Sequence, residues 1–225
     1  MAQAPEQSIV GGVLEAIAEH RLKAGVKLGE QDLCEIYHCN RAHVRRALAT
    51  LEAQKVVKLE PNRGAFIATP TPEEARNVFQ ARRAIELVIA RNVLRLAGPE
   101  DIARLRDHVE QEHAARQSSE RRDAIRLSGR FHLILGEMCG NEVLDEFLNE
   151  LVMRSSLIIS MYSASQAPLC GDEEHARIVD AIEAGEESVL MERIEHHLRH
   201  LEHSIAIEPA NTSPDLKDIL QPPGP

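Results

Sequence analysis

The chain has no tryptophan, and phenylalanine and tyrosine bring its aromatic share to only 3% of 225 residues. That shortage favours helices packed through Leu, Ile, Val and Ala, and the 43% hydrophobic share is enough for real cores. No apolar run approaches the ~20 residues that a membrane helix needs. The opening MAQAPEQ lacks the basic and apolar regions of a secretion signal. Four cysteines (Cys34, Cys39, Cys139, Cys170) show no paired metal spacing. A chain this long does not need disulfides, so a reduced, cytoplasmic setting is the expectation. Acidic residues are missing from one place in particular. The net charge is −10, yet Ile36 to Leu51 contains no carboxylate and holds Arg41, Arg45 and Arg46.

That window lies inside the most informative stretch, Leu28 to Ile67. Asn40 is a polar N-cap candidate, and Val44, Ala47, Leu48 and Leu51 follow at helical spacing. The opposite face carries Arg41, His43, Arg45 and Arg46. Before it, Glu30 to Tyr37 predicts a short amphipathic helix, with His38-Cys39-Asn40 as a tight turn. After it, Val56–Leu59 and Ala65–Ile67 read as short strands around the turn Glu60-Pro61-Asn62-Arg63-Gly64. Helix, turn, basic helix and hairpin make a winged helix-turn-helix. Residues 1–70 hold nine Lys/Arg against eight Asp/Glu, a net of +1, whereas residues 71–225 hold seventeen against twenty-eight, a net of −11. Phosphate attraction is local on the scale of a Debye length. The near-neutral end, with its concentrated basic face, can therefore bind DNA, and the acidic end must do something else.

Ser8 to about Arg21 predicts a first helix after a loose start of six residues, and Lys23–Val26 a connector. Thr69-Pro70-Thr71-Pro72 reads as a boundary, with Thr71 or the residue before it capping a new helix. No strand signal follows. Helical patterns run through 74–97, 99–117, 119–139, 142–161, 172–184 and 186–205, separated by Gly98-Pro99, Gly140-Asn141, Gln166-Ala167-Pro168 and Gly185. The expected fold is mainly α: a winged helix-turn-helix domain over 1–70, an antiparallel helical bundle over 71–207, and a proline-bearing tail over 208–225 predicted to be disordered.

Several motifs act in combination: Asn40-Arg41-x-x-Val44-Arg45-x-Ala47-Leu48, Pro61-Asn62-Arg63-Gly64-Ala65-Phe66, Arg82-x-x-Ile85-Glu86, Phe131-His132, Gly140-Asn141-x-x-Leu144, Glu174-His175, and Met191 to His197-Leu198. With these the chain resembles the GntR transcription regulators, and its second domain resembles the helical ligand-binding (FCD) domain of their FadR subgroup, over about residues 9–205. The resemblance implies that Arg41 and Arg45 reach the major groove, where a guanidinium can engage guanine O6 and N7 together, and that Arg63 and Gly64 form the wing tip in the minor groove. Arg46 departs from the family, which usually has Glu there. A solvated basic face is the bland alternative for these arginines.

His132, His175 and His197 fall on or beside apolar helix faces, so three imidazoles can supply most of a transition-metal site, with Zn²⁺ or Ni²⁺ the expected ion. The resemblance makes the same three ligands, joined by an acidic or amide residue four before the first. Here that residue is Ser128, which leaves positions open for water or a ligand carboxylate. The alternative is that all three are hydrogen-bonded core histidines. Arg82 matches the family's pocket arginine and would pair with a small carboxylate effector; the alternative is an intrahelical pair with Glu86. Arg154 is a second effector candidate. The reading that follows is a metabolite-responsive regulator, a homodimer on a pseudo-palindromic double-stranded operator, with no membrane partner. A metal-dependent hydrolase using the three histidines is the rival, and an architectural DNA protein the third possibility.

Overall fold

The computed structural model describes residues 4–118, 121–162 and 173–205. The segment around Gln166-Ala167-Pro168, Cys170 and the tail from Glu208 lie outside the described residues.

The first helix, α1 (Pro5–Ala18), starts and ends three residues before the Ser8–Arg21 reading. Pro5 takes an N-terminal position where a missing N–H costs nothing, so Pro5 and Glu6, expected to be loose, are already helical. At the other end the chain turns out of the helix at His20 with φ 56°. There its N–H donates to the Ile17 carbonyl at 2.9 Å, in the left-handed region where glycine is the usual occupant. Next come β1 (Lys27–Leu28), α2 (Glu30–Ile36), α3 (Arg41–Ala53), β2 (Val57–Glu60) and β3 (Gly64–Ile67). β3 lies between the other two strands, antiparallel to both, with Lys27 opposite Phe66 and Lys58 opposite the same residue on the other side. β1 falls beside the predicted connector; two residues are too few to show an alternating pattern.

The caps behave as their chemistry demands. The Asn40 side chain accepts from the Ala42 and His43 N–H groups at 3.0 and 3.2 Å, filling donors that the first turn of α3 leaves open. Thr71 and Glu74 form a reciprocal capping box at the start of α4 (Pro72–Leu96). α5 spans Pro99–Gln117, the predicted bounds, with the Gly98 N–H donated to Asp101. α6 (Arg121–Met138) ends before Gly140, whose φ of 65° lies in the left-handed region that favours glycine. α7 (Glu142–Tyr162), α8 (Glu174–Ala184) and α9 (Glu187–His203) complete the bundle.

Two cores result. Ile9, Val13, Ile17, Leu33, Val44, Leu48, Leu51 and Ile67 close the winged helix. Phe79, Ile89, Phe131, Leu135, Leu148, Ile178, Ile194 and Leu198 close the bundle. Leu157 of α7 belongs to the first core rather than the second, and burial of a leucine stabilises by ~1.5–3 kcal/mol. α1 accordingly packs on α3 on one side and on α6 and α7 on the other, which makes it the joint between winged helix and bundle. The Tyr162 hydroxyl reinforces the joint by donating to the Pro70 carbonyl at 2.6 Å.

Candidate metal centre and nucleic-acid face

His132 on α6, His175 on α8 and His197 on α9 come together although they are far apart in the chain. All are buried. Their ligand nitrogens lie within 4.8 Å of one another, and His197 Nε2 stands 3.2 Å from His175 Nε2 and 3.1 Å from His132 Nε2. Phe131 fixes one wall, its ring stacked on His175 at 4.0 Å between centroids.

The far nitrogen of each ring is held by a carboxylate. His132 Nδ1 lies 2.7 Å from Glu86, His175 Nδ1 2.7 Å from Glu112, and His197 Nδ1 2.8 Å from Glu174. The carboxylates carry negative charge, so each Nδ1 is a donor and each Nε2 keeps its lone pair. Those lone pairs face one another, an arrangement that repels unless a cation or proton stands among them. An ion ~2.1 Å from each nitrogen sets neighbouring donors ~3.0 Å apart at right angles and ~3.4 Å apart at tetrahedral angles. The observed 3.1 and 3.2 Å fall between. Carboxylate-anchored imidazoles are what a nitrogen-preferring divalent ion requires, so the donor set fits the group.

Charge agrees with geometry. Burial pushes His132 down to about 4 and His197 down to about 3, against the opposing pull of Glu86 and Glu174. Burial would raise Glu86, but His132 and Arg82 hold it down to about 2. Glu174 is brought to about 2 by His197 and His200, again against burial. At neutral pH His132 and His197 are thus uncharged and ready to ligate. In unfolded chain an imidazole titrates near 6.5. The depressed values mean that stability is whole above pH 6.5 and is lost as the unfolded state takes up protons down to pH 3–4. The chelator-treated protein should therefore melt progressively lower from pH 6.5 to 4 by far-ultraviolet circular dichroism. A melting temperature unchanged between pH 7 and 5 would refute the assignment of neutral buried imidazoles.

Arg82 sits beside the cluster, 3% exposed. Its Nε donates to Glu86 at 2.5 Å and its Nη1 to Ser155 Oγ at 2.8 Å, while Nη2 is buried with no hydrogen-bond partner. The intrahelical pair with Glu86 therefore forms, and another guanidinium nitrogen is left without a protein partner. A small cavity of about 30 Å³ is lined by Arg82, Ser128, Gly129, His132, Ser156 and His20. Arg154 corrects the reading that put it in the same pocket. It bonds Glu150 at 3.0 Å and lines a separate hollow with Lys58 and Thr71, because it lies on a part of α7 that turns toward the wing. His200 also donates to Glu174, at 2.8 Å.

Glu112, which holds His175, belongs to none of the sequence motifs. Glu137, on the helix that carries His132, bonds Arg104 and Arg130 rather than a histidine. Glu112 nonetheless carries a signal: it falls on the buried stripe Leu105, His108, Glu112 and Ala115 of α5, where a carboxylate without a partner would be costly.

On the winged helix, Arg41, Arg45, Arg46 and Arg63 all project into solvent. Each is met by a neighbour: Arg41 by Gln31 at 3.5 Å, Arg45 by Glu30 at 2.9 Å, Arg46 by Glu6, and Arg63 by Glu60. Arg63 also lies 5.3 Å over the Phe66 ring. Gly64 holds φ 101° at the hairpin tip. Asn40 caps α3 from an exposed position, and the half-buried His43 bonds Glu6 and Arg46.

A winged helix with an outward row of arginines, joined to a helical bundle around a histidine cluster, is the build of a DNA-binding regulator with a second, helical domain. The comparisons make this specific. The model described as "FCD domain" matches residues 77–200, and that described as "Bacterial regulatory proteins, gntR family" matches residues 5–67. The chain belongs to the FCD family, with a DNA-binding domain of the GntR type. It is similar to the HTH-type transcriptional regulator YdhC of Bacillus subtilis (strain 168), 25% identical over 80% of this chain and 84% of that one. It is similar also to LutR of the same organism, 24% identical over 83% and 94%. In fold it resembles E. coli McbR/YncC, with a TM-score of 0.79, 15% identity, and 88% and 95% of the chains covered. A GntR-type regulator from Rhodococcus sp. RHA1 has a TM-score of 0.74, 22% identity, and 88% and 95% covered. These families and relatives are transcription regulators rather than enzymes, and nothing among them supports the hydrolase alternative. Among the described residues no helix is long and apolar enough to cross a membrane.

Proposed function

We propose that the protein is a metabolite-responsive regulator whose effector is a small carboxylic acid, bound to a Zn²⁺- or Ni²⁺-type ion held by His132, His175 and His197. The observation that carries this is the convergence of three buried imidazole nitrogens, together with the unpartnered Arg82 Nη2 on the guanidinium that shares Glu86 with His132. A carboxylate can give one oxygen to the ion and the other to the guanidinium. Ser128, four residues before His132, has a hydroxyl too weak to compete as a ligand and leaves room for that oxygen. The metal would neutralise the acid and fix its orientation; the chain's own residues select its shape. Elemental analysis should find about one ion per chain, and calorimetry should show acid binding weakened more than folding when the ion is stripped. Equal affinity in the metal-free form would make the histidines ordinary core residues.

DNA reading falls to Arg41 and Arg45 in the major groove, with Arg46 adding charge and Arg63-Gly64 at the wing tip. The outward guanidiniums and the relatives' helix-turn-helix character support this. Arg45→Ala should weaken operator binding roughly 5- to 150-fold at matched salt without unfolding the domain. An unchanged gel shift removes Arg45 from the reading face. One winged helix contacts too little DNA for high specificity, so the working form is a homodimer on half-sites about one helical turn apart. Sedimentation of a monomer at micromolar concentration, both free and on DNA, would contradict it. A division of the chain near Thr69–Pro72 is supported by the separate cores, and the cytoplasm is the compartment consistent with a DNA partner.

A further inference from the structure

The turn of the helix-turn-helix carries two cysteines. α2 ends at Ile36, and the chain reverses at His38 with φ 48°. The Cys39 N–H then donates back to the Cys34 carbonyl at 3.1 Å. A bond of this span at a helix end sets the side chains of its two residues against each other, a place commonly taken by two apolar groups. Here both are thiols. Cys34 and Cys39 are half-buried and pack against the core of the winged helix. Burial pushes the Cys39 thiol up, and the neighbouring Cys34 thiol pushes it the same way.

Their position ties them to the DNA-reading helix. Cys39 is followed directly by Asn40, whose side chain caps α3 through the Ala42 and His43 N–H groups, and then by Arg41. Neither thiol takes part in that cap. Cys139 is buried in the other core, so among the described residues no further cysteine shares the turn.

We propose that Cys34 and Cys39 form a reversible disulfide that lowers operator affinity, so that the turn is a site of oxidative modification. The oxidant is a peroxide. One thiol attacks a peroxide oxygen and becomes a sulfenic acid, with release of water. The other thiol attacks that sulfur, and a second water leaves. Two thiols thereby give two electrons and two protons to one peroxide. Cys39, held protonated by its burial, suits the second step, where a partner already in place offsets a scarce thiolate. A disulfide in a cytoplasmic protein is typically transient and sensing. An S–S bond is ~2.05 Å long, far shorter than any contact between unbonded sulfurs. Closing it must draw Cys39 and the end of α2 together, and Asn40 and Arg41 move with Cys39. The consequence for DNA rests on the reading of α3 proposed above.

The test takes full-length protein, either reduced with dithiothreitol or treated with hydrogen peroxide, through operator gel shifts and tryptic mass mapping. Both cysteines fall in one tryptic peptide, Leu28 to Arg41, so the disulfide makes that peptide lighter by two hydrogens. Peroxide should produce this peptide and weaken operator binding roughly fivefold or more, the size of one lost base contact. Dithiothreitol should restore both. Cys34→Ser and Cys39→Ser should each bind operator within about twofold of reduced wild type and give no reversible response to peroxide. A peptide that stays unchanged, or only gains oxygen, overturns the proposal. So does a disulfide that leaves operator affinity as it was, or an affinity loss that persists in both serine variants; in these cases the reading of α3 stands. If reduced wild type binds no operator, both are wrong.

Discussion

His197→Ala is expected to abolish ion binding at the histidine cluster. His197 Nε2 is the nitrogen that approaches both other ligands, at 3.1 and 3.2 Å, so its loss leaves two donors on one side of an open space. Loss of a group that merely orients a ligand typically costs 10- to 100-fold in metal affinity; loss of the ligand itself should exceed that. Glu174→Gln provides the graded control. It keeps the imidazole but removes the charge that holds His197 Nδ1 at 2.8 Å, and should fall within the 10- to 100-fold range. Competition against a chelating dye measures both. If His197→Ala holds the ion as wild type does, the three rings are packing residues and no metal centre exists.

Arg82→Ala should destabilise the protein more than any surface change, by ~3–5 kcal/mol, the usual consequence of leaving one member of a buried ion pair alone. Glu86 is 2% exposed and shares its two oxygens between Arg82 and His132. Without the guanidinium its charge faces only an imidazole that burial keeps neutral. The double variant Arg82→Ala with Glu86→Leu removes the stranded charge and should recover part of the loss. Both variants should nevertheless fail to bind acid, which separates the stabilising role of Arg82 from its anion-binding one. Denaturant midpoints and calorimetry decide this; a single variant as stable as wild type would mean that Glu86 does not depend on Arg82.

The local rules carried the architecture a long way. Asn40, Thr71-Pro72, Gly98-Pro99 and Gly140-Asn141 are legible because capping and chain reversal depend on residues within a few positions of each other. The three histidines were legible because an imidazole on an apolar stripe stands out. The residues that complete the site were harder, each for a physical reason. Glu112 contacts His175 across 63 positions, and no spacing rule reaches so far. Arg154 shares a helix with Val152 and Ser155, yet the turn of α7 sends it toward the wing. β1, two residues long, is defined only by its partner β3.

The glutamates that meet the outward arginines have a consequence for how the protein finds its target. A genome offers ~10⁶–10⁹ competing sites, and a bare row of guanidiniums would be drained by them. With Glu6, Glu30 and Glu60 already holding Arg46, Arg45 and Arg63, contact with a random phosphate merely exchanges one anion for another, and the gain is small. On the proposed reading, a matching guanine edge adds base recognition to an exchange of anions that is otherwise close to neutral. Dwell times on unrelated sequence would then be short, and occupancy would be concentrated where the bases match.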